Sequence, residues 1–385
     1  MSERRLVSSR SSRAALGVFC GGMLLLGGCA YIYDFGQYGL DPDGGAPSGS
    51  GPGAGGSTAS SASGGGEGIG GGGGGDCKLA DPKCQIEELS KSTVVYGDIA
   101  LGETVVYWID DQGLSKQVKD KSAPAQAILG NFDPVTLLAA AKDTEIYYFA
   151  NNKLFKQIYD LDSTVFTTED VSSKPGAGLL LYKDEIYWSV VSEKKIYKTK
   201  AETDVSATAD EPLFLAANPG GPEVYWTFKG SGPDGGVQTP GKLDFVQNQN
   251  APSGIVTDGD SVFWITAEGK IHGVEKTGGT ATVKDGVAIL GNAVVPSGRI
   301  VENGSRVYWL GPDSTTCTVA NGCTCDPKEK CGVVWTALKT SLDAPEPFAR
   351  AAWTNLRGLA ADSMHIYWTA STGATSQLLR KPALP

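Results

Sequence analysis

The chain has 385 residues, 43 acidic and 33 basic, with a net charge of −10 and only two histidines. An acidic balance of that size argues against nucleic acid and against an anionic bilayer surface as partners. No P-loop, no H-E-x-x-H and no G-x-S-x-G in a strand-to-helix setting occurs, so the sequence offers no signature of the common hydrolase or nucleotide chemistries, and no cofactor is expected.

Residues 1–28 open with Arg4, Arg5, Arg10 and Arg13, continue through an apolar run from Ala14 to Leu26, and end in small residues. These are the parts of a secretory signal peptide, and the run is too short to span a bilayer as a helix. Leu26, Gly27, Gly28 and Cys29 resemble the bacterial lipobox. The resemblance implies that Cys29 carries the lipid that anchors the chain to a membrane. Ala30 after it fits transfer to the outer membrane, with the periplasmic or surface side open.

From 29 to 76 the chain is a tether, almost wholly Gly, Ser, Ala and Pro after residue 42. Such a composition predicts disorder, with an end-to-end distance on the order of 30–35 Å. Its G-x-G-x-x-G matches have no strand before them and no helix after them, so they are low complexity and not a nucleotide loop.

A short segment, 77–92, carries Cys77 and Cys84; Cys317, Cys323, Cys325 and Cys331 lie far downstream. An even number in an exported chain implies disulfides. Cys77 with Cys84 is the expected local pair, and the other four leave three pairings open, with Cys323–Cys325 the least expected. Their spacing lacks the C-x2-C knuckles of zinc folds.

The remainder, 93–385, is built on one repeat. Aromatic pairs begin at Tyr107, Tyr147, Tyr187, Tyr225, Phe263, Tyr308 and Tyr367, each preceded by Val or Ile, with spacings of 40, 40, 38, 38, 45 and 59. Six of the eight tryptophans are second members of these pairs. Around each pair runs a short strand such as "GIVTD", a tight turn such as "DGDS", the aromatic strand, a third strand ending in Lys, and a fourth strand. Four short strands in roughly 40 residues, with turn residues between them, make one propeller blade. Consecutive Val-Tyr-Trp places large groups on both faces of its strand, which suits a sheet covered on both sides. The sequence therefore predicts an all-β fold, a seven-bladed β-propeller of four-stranded antiparallel blades behind a disordered Gly/Ser-rich tether. The last repeat stops after three strands, so "STVVYG" at 92–97 is expected to complete the seventh blade.

The Tyr-Trp step resembles that of the YWTD propellers of the LDL-receptor family and, more loosely, of TolB-like envelope propellers, over residues 93–385. The resemblance implies a propeller that binds proteins or serves an envelope assembly or transport machine.

His272 and His365 lie on and beside predicted strands, and Asp98, Asp258 and Asp362 lie near the inner strands. Carboxylates of this kind could hold a metal at a propeller axis, as in lactonase-type hydrolases, but Asp258 and Asp362 also stand where Asp serves a turn. Insertions occur at 311–332, the Cys-rich "GPDSTTCTVANGCTCDPKEKC" among them, at "FKGSGPDGG" in the fourth repeat, and at "LDAPEPFARAAWTN" before the seventh. All share one rim, so Phe228, Asp313 and Trp353 are the expected binding face. The expectation is a non-enzymatic binding or scaffold module for a protein or glycan at the bacterial envelope. Its alternatives are a component of an assembly machine and a metal-dependent hydrolase or lactonase.

Overall fold

The computed structural model describes residues 85–92, 97–110, 113–130, 135–159, 166–199, 203–204, 210–217, 223–230, 235–266, 270–276, 284–285, 299–312, 332–350, 355–371 and 375–385. The signal segment, the tether, all eight cysteines, Asp313 and Trp353 lie outside them. The described strands form seven sheets of four, every neighbouring pair antiparallel. Blades 1 to 6 run over 99–130, 135–172, 178–204, 212–249, 255–285 and 300–350. Blade 7 takes its first three strands from 355–382. Each inner strand packs against the next, and that of blade 7 packs against that of blade 1, so the ring is closed.

The aromatic pairs explain why the sheets stack in this way. Side chains alternate along a strand, so the two members of a pair point to opposite faces. The first member enters the seam with the following blade and the second enters the seam with the preceding one. Tyr107 thus meets Tyr148 between blades 1 and 2, and Tyr147 meets Trp188 between blades 2 and 3. The pattern continues with Tyr187 and Trp226, Tyr225 and Trp264, Phe263 and Trp309, Tyr308 and Trp368, and closes with Tyr367 and Trp108. Seven seams are filled by seven copies of one step. Trp188, Trp226, Trp264 and Trp368 are fully buried, and each such ring contributes about 4–6 kcal/mol of transfer free energy at 25 cal/mol per Å².

The third strands complete the packing. Phe155 stacks on Tyr148 at 5.5 Å, Tyr197 on Trp188 at 5.7 Å, and His272 on Trp264 at 5.5 Å. In blade 4 the same place is taken by Gln238, whose Oε1 accepts from Trp226 Nε1 at 2.9 Å. The outer edges are blunted by register shifts in several outer pairs and by Pro345 and Pro347 in Ser341–Arg350.

Blade 7 is completed from the N-terminal side by a strand that shares only Ser92 with 92–97, of which 93–96 lie outside the described residues. The closing strand is Glu87–Ser92, antiparallel to Ser376–Pro382. An outermost strand covers only one seam, so it needs few apolar residues, and Leu89 alone is buried here. The apolar look of "STVVYG" set the expected start of this strand five residues too late. Glu87 pairs with Arg380 Nε at 2.7 Å and with Lys121 Nζ at 2.7 Å, which ties the strand to blade 7 and to blade 1 together.

Candidate functional site

Strand direction divides the ring into two rims. Tight turns between first and second strands lie on the lower rim, and the connections from second to third strands and from blade to blade lie on the upper rim. Each carries a different chemistry, and between them runs the axis.

On the lower rim the tyrosine hydroxyls of the repeat meet acids at the starts of their own strands. Tyr147 donates to Glu145 at 2.7 Å, Tyr225 to Glu223 at 2.6 Å, and Tyr367 to Asp362 at 2.9 Å. Burial and the adjacent carboxylates push these three phenols well above the ordinary tyrosine range. Lysines at the ends of third strands bridge the seams. Lys119 of blade 1 reaches Asp362 of blade 7 at 2.9 Å and sits 5.8 Å over the Tyr367 ring. Lys339 of blade 6 reaches Asp258 of blade 5 at 2.9 Å and its own Glu302 at 2.8 Å. Asp258 also accepts from the N–H groups of Asp260 and Ser261, and Asp362 from those of Met364 and His365. Burial pushes both carboxyls up, but the lysines and turn N–H groups outweigh it and hold both below the usual carboxylate value.

Asp98 stands apart, at the upper end of the blade 1 inner strand. It is buried, and accepts from Ile99 N at 3.0 Å, Leu138 N at 3.1 Å and Arg299 Nη2 at 2.5 Å. Arg299 belongs to blade 6 and Leu138 to blade 2, so one carboxylate ties three blades around the axis. Burial raises the Asp98 carboxyl despite the guanidinium. The structure therefore does not bring Asp98, Asp258 and Asp362 together, and each is already held by a protein cation. Among the described residues no group of three or more Asp, Glu, His or Cys converges as metal ligands would. His272 is buried in its stack, and His365 lies in the lower turn of blade 7, 3.9 Å from Asp362, where burial lowers its imidazole.

The one described member of the expected binding face is not on a surface. Phe228 is 2 % exposed and belongs to the core between blades 3 and 4. It pairs with Gly236, and a Cβ at Gly236 would lie 2.7 Å from the Phe228 ring. The glycines read as part of a loop are the start of the third strand, left bare so that the ring can lie over them.

On the inner strands of blades 2 to 6, Leu137, Leu180, Phe214, Val256 and Val301 are half-buried and pack against the seam cores. Arg357, also half-buried, lies on the inner strand of blade 7. The Asp98–Arg299 tie carries no local sequence signal.

No protein-family model and no curated protein matches this chain. Among solved structures, the WD40 β-propeller domain of Doa1 superposes with a TM-score of 0.51 at 9 % identity, covering 77 % of this chain and 97 % of that one. A chain of a mitotic checkpoint complex gives a TM-score of 0.52 at 12 % identity, covering 79 % and 95 %. The fold is a seven-bladed β-propeller. At these identities the likeness extends to the propeller fold alone.

Proposed function

We propose that this propeller is an extracytoplasmic module, anchored through lipid on Cys29 to the bacterial outer membrane, that binds a protein or glycan without catalysing a reaction. The observation that carries the reading is the direction of the closing strand. Glu87–Ser92 runs antiparallel to Ser376–Pro382, whose Pro382 end is at the lower rim, so the chain from the tether enters the ring at the lower rim. The long connection from Pro312 to Gly332 leaves and returns on the upper rim, as does the short one from Arg350 to Asn355, the rest of "LDAPEPFARAAWTN" being the outer strand Ser341–Arg350 and not an insertion. The chain's entry and these connections thus start from opposite rims, which supports a module that holds one face toward its anchor and offers the other. Support against a hydrolase comes from Asp98, Asp258 and Asp362, whose oxygens are taken up by Arg299, Lys339 and Lys119.

The test is photocrosslinking in the native cell from Asn152 on the upper rim and from Met364 on the lower rim, both exposed. A discrete partner captured from Asn152 and not from Met364 is expected, and its identity distinguishes a receptor from a part of an assembly machine. Equal labelling from both positions would refute the face assignment. Replacing Cys29 by Ala should release the chain from the membrane fraction; retention there would refute the lipid anchor.

A further inference from the structure

We infer that the closing strand of the ring is a directional mechanical clamp, which holds when load enters the propeller before Glu87 and leaves it through the upper rim, and yields when the two chain ends are drawn apart. The inference rests on the proposed function only for the direction of the load in the cell; the clamp itself is a property of one strand pair. In blades 1 to 6 the outer strand follows the third strand directly in the chain. In blade 7 the outer strand Glu87–Ser92 meets Ser376–Pro382 from the far end of the chain, with Glu88 and Gln377 289 positions apart, so no turn joins them.

Five residue pairs hold this ladder, from Glu87 with Arg380 at the lower rim to Ser92 with Ser376 at the upper. Hydrogen bonds between antiparallel strands stand perpendicular to the strands. A pull along the strand axis strains all five pairs together, whereas a pull across it opens them one after another. Load between the residue before Glu87 and the upper rim runs along the axis. Load between that residue and the C-terminus acts on the lower ends of both strands, and parts Glu87 from Arg380 first. The end where load enters is reinforced by charge-assisted contacts. Arg380 Nε and Nη2 donate to Glu87 at 2.7 and 2.6 Å, Lys121 Nζ donates to Glu87 and to Glu88 O at 2.7 Å each, and Gln377 Nε2 donates to Glu88 at 2.5 Å. Arg380 Nη1 also donates to Lys119 O at 2.5 Å, so the entry point is tied to blade 1 as well as to blade 7. Apolar packing resists every direction of pull alike, and here it is small, since Leu89 is the one buried residue of the strand. The ladder and its ties therefore decide the strength, and they depend on direction.

The test is single-molecule force spectroscopy of the full chain, with handles attached through azide-bearing residues at Gln85 and Asn152 in one geometry and at Gln85 and Pro385 in the other, all three positions being exposed. At equal loading rate the first rupture between Gln85 and Asn152 should need at least about twofold more force than that between Gln85 and Pro385, because five pairs share the load instead of one. Leu89→Ala should lower the force between Gln85 and Asn152. Val237→Ala, fully buried in blade 4, should lower the melting temperature and leave that force unchanged. The melting temperature of each labelled chain confirms an intact ring. Equal forces in the two geometries, or equal loss of force in the two variants, would overturn the inference. The purified chain needs no membrane for this measurement, so failure of the clamp is distinguishable from failure of the anchor, which Cys29→Ala tests in the cell.

Discussion

Replacing Asp362 by Ala should loosen the seam where the ring closes. This carboxylate accepts from Met364 N at 3.0 Å, His365 N at 2.9 Å, Tyr367 Oη at 2.9 Å and Lys119 Nζ at 2.9 Å. Loss of the two turn contacts resembles loss of a helix cap, about 1 kcal/mol. The Lys119 ammonium, 14 % exposed, and the Tyr367 hydroxyl would then lack their acceptor, at about 1–3 kcal/mol more. A total near 3 kcal/mol corresponds to a fall in melting temperature of roughly 5 °C for a domain of this size. Asp362→Asn keeps an acceptor for the turn and removes only the charge, so it should cost about 1 kcal/mol. A double-mutant cycle with Lys119→Met, followed by thermal unfolding, isolates the ion pair, with an expected coupling of about 1 kcal/mol. The folded carboxyl titrates below its unfolded value near 3.9, so its contribution is present above that pH and is lost as pH falls through the lower, folded value. If Asp362→Ala stays within about 0.5 kcal/mol of the parent, or is strictly additive with Lys119→Met, the seam is not held in this way.

Three further outcomes are expected. Gly358→Ala should destabilise the ring by more than about 2 kcal/mol, because its Cβ would meet the backbone of Gly97 at 2.6 Å, whereas Gly259→Ala, in open space, should change the melting temperature little. Arg299→Ala should cost more than Asp98→Asn, since the first leaves a buried carboxylate without its cation while the second leaves a partly exposed guanidinium free to find water; denaturant unfolding of both variants decides, and the reverse order would discredit the axial tie. The phenols of Tyr147, Tyr159, Tyr225 and Tyr367 are raised above the free value near 10. Their stabilisation is complete below that value and is lost as pH rises through the folded values, so in an ultraviolet titration these four phenols should ionise only together with unfolding, in a step distinct from that of the other tyrosines.

The site was less legible than the fold. Asp258 and Asp362 carry the sequence pattern of turn residues and are turn residues, but nothing local announces that Lys339 and Lys119 arrive from neighbouring blades to neutralise them. Phe228 stood beside glycines that read as a loop, and only the pairing of Phe228 with Gly236 turned that loop into a strand and the ring into core.

What the sequence determined by itself was the repeat and its consequence. A step of two consecutive large aromatics can be buried only in a sheet covered on both faces, and seven such steps at near-even spacing imply seven sheets that cover one another. That information is local, because alternation along a strand is fixed by backbone geometry. Ring closure, the identity of the closing strand and the charges around the axis were decided by tertiary structure. Glu87 meets Arg380, Arg299 meets Asp98 and Lys119 meets Asp362 across hundreds of residues, contacts that exist only once the last blade lies against the first.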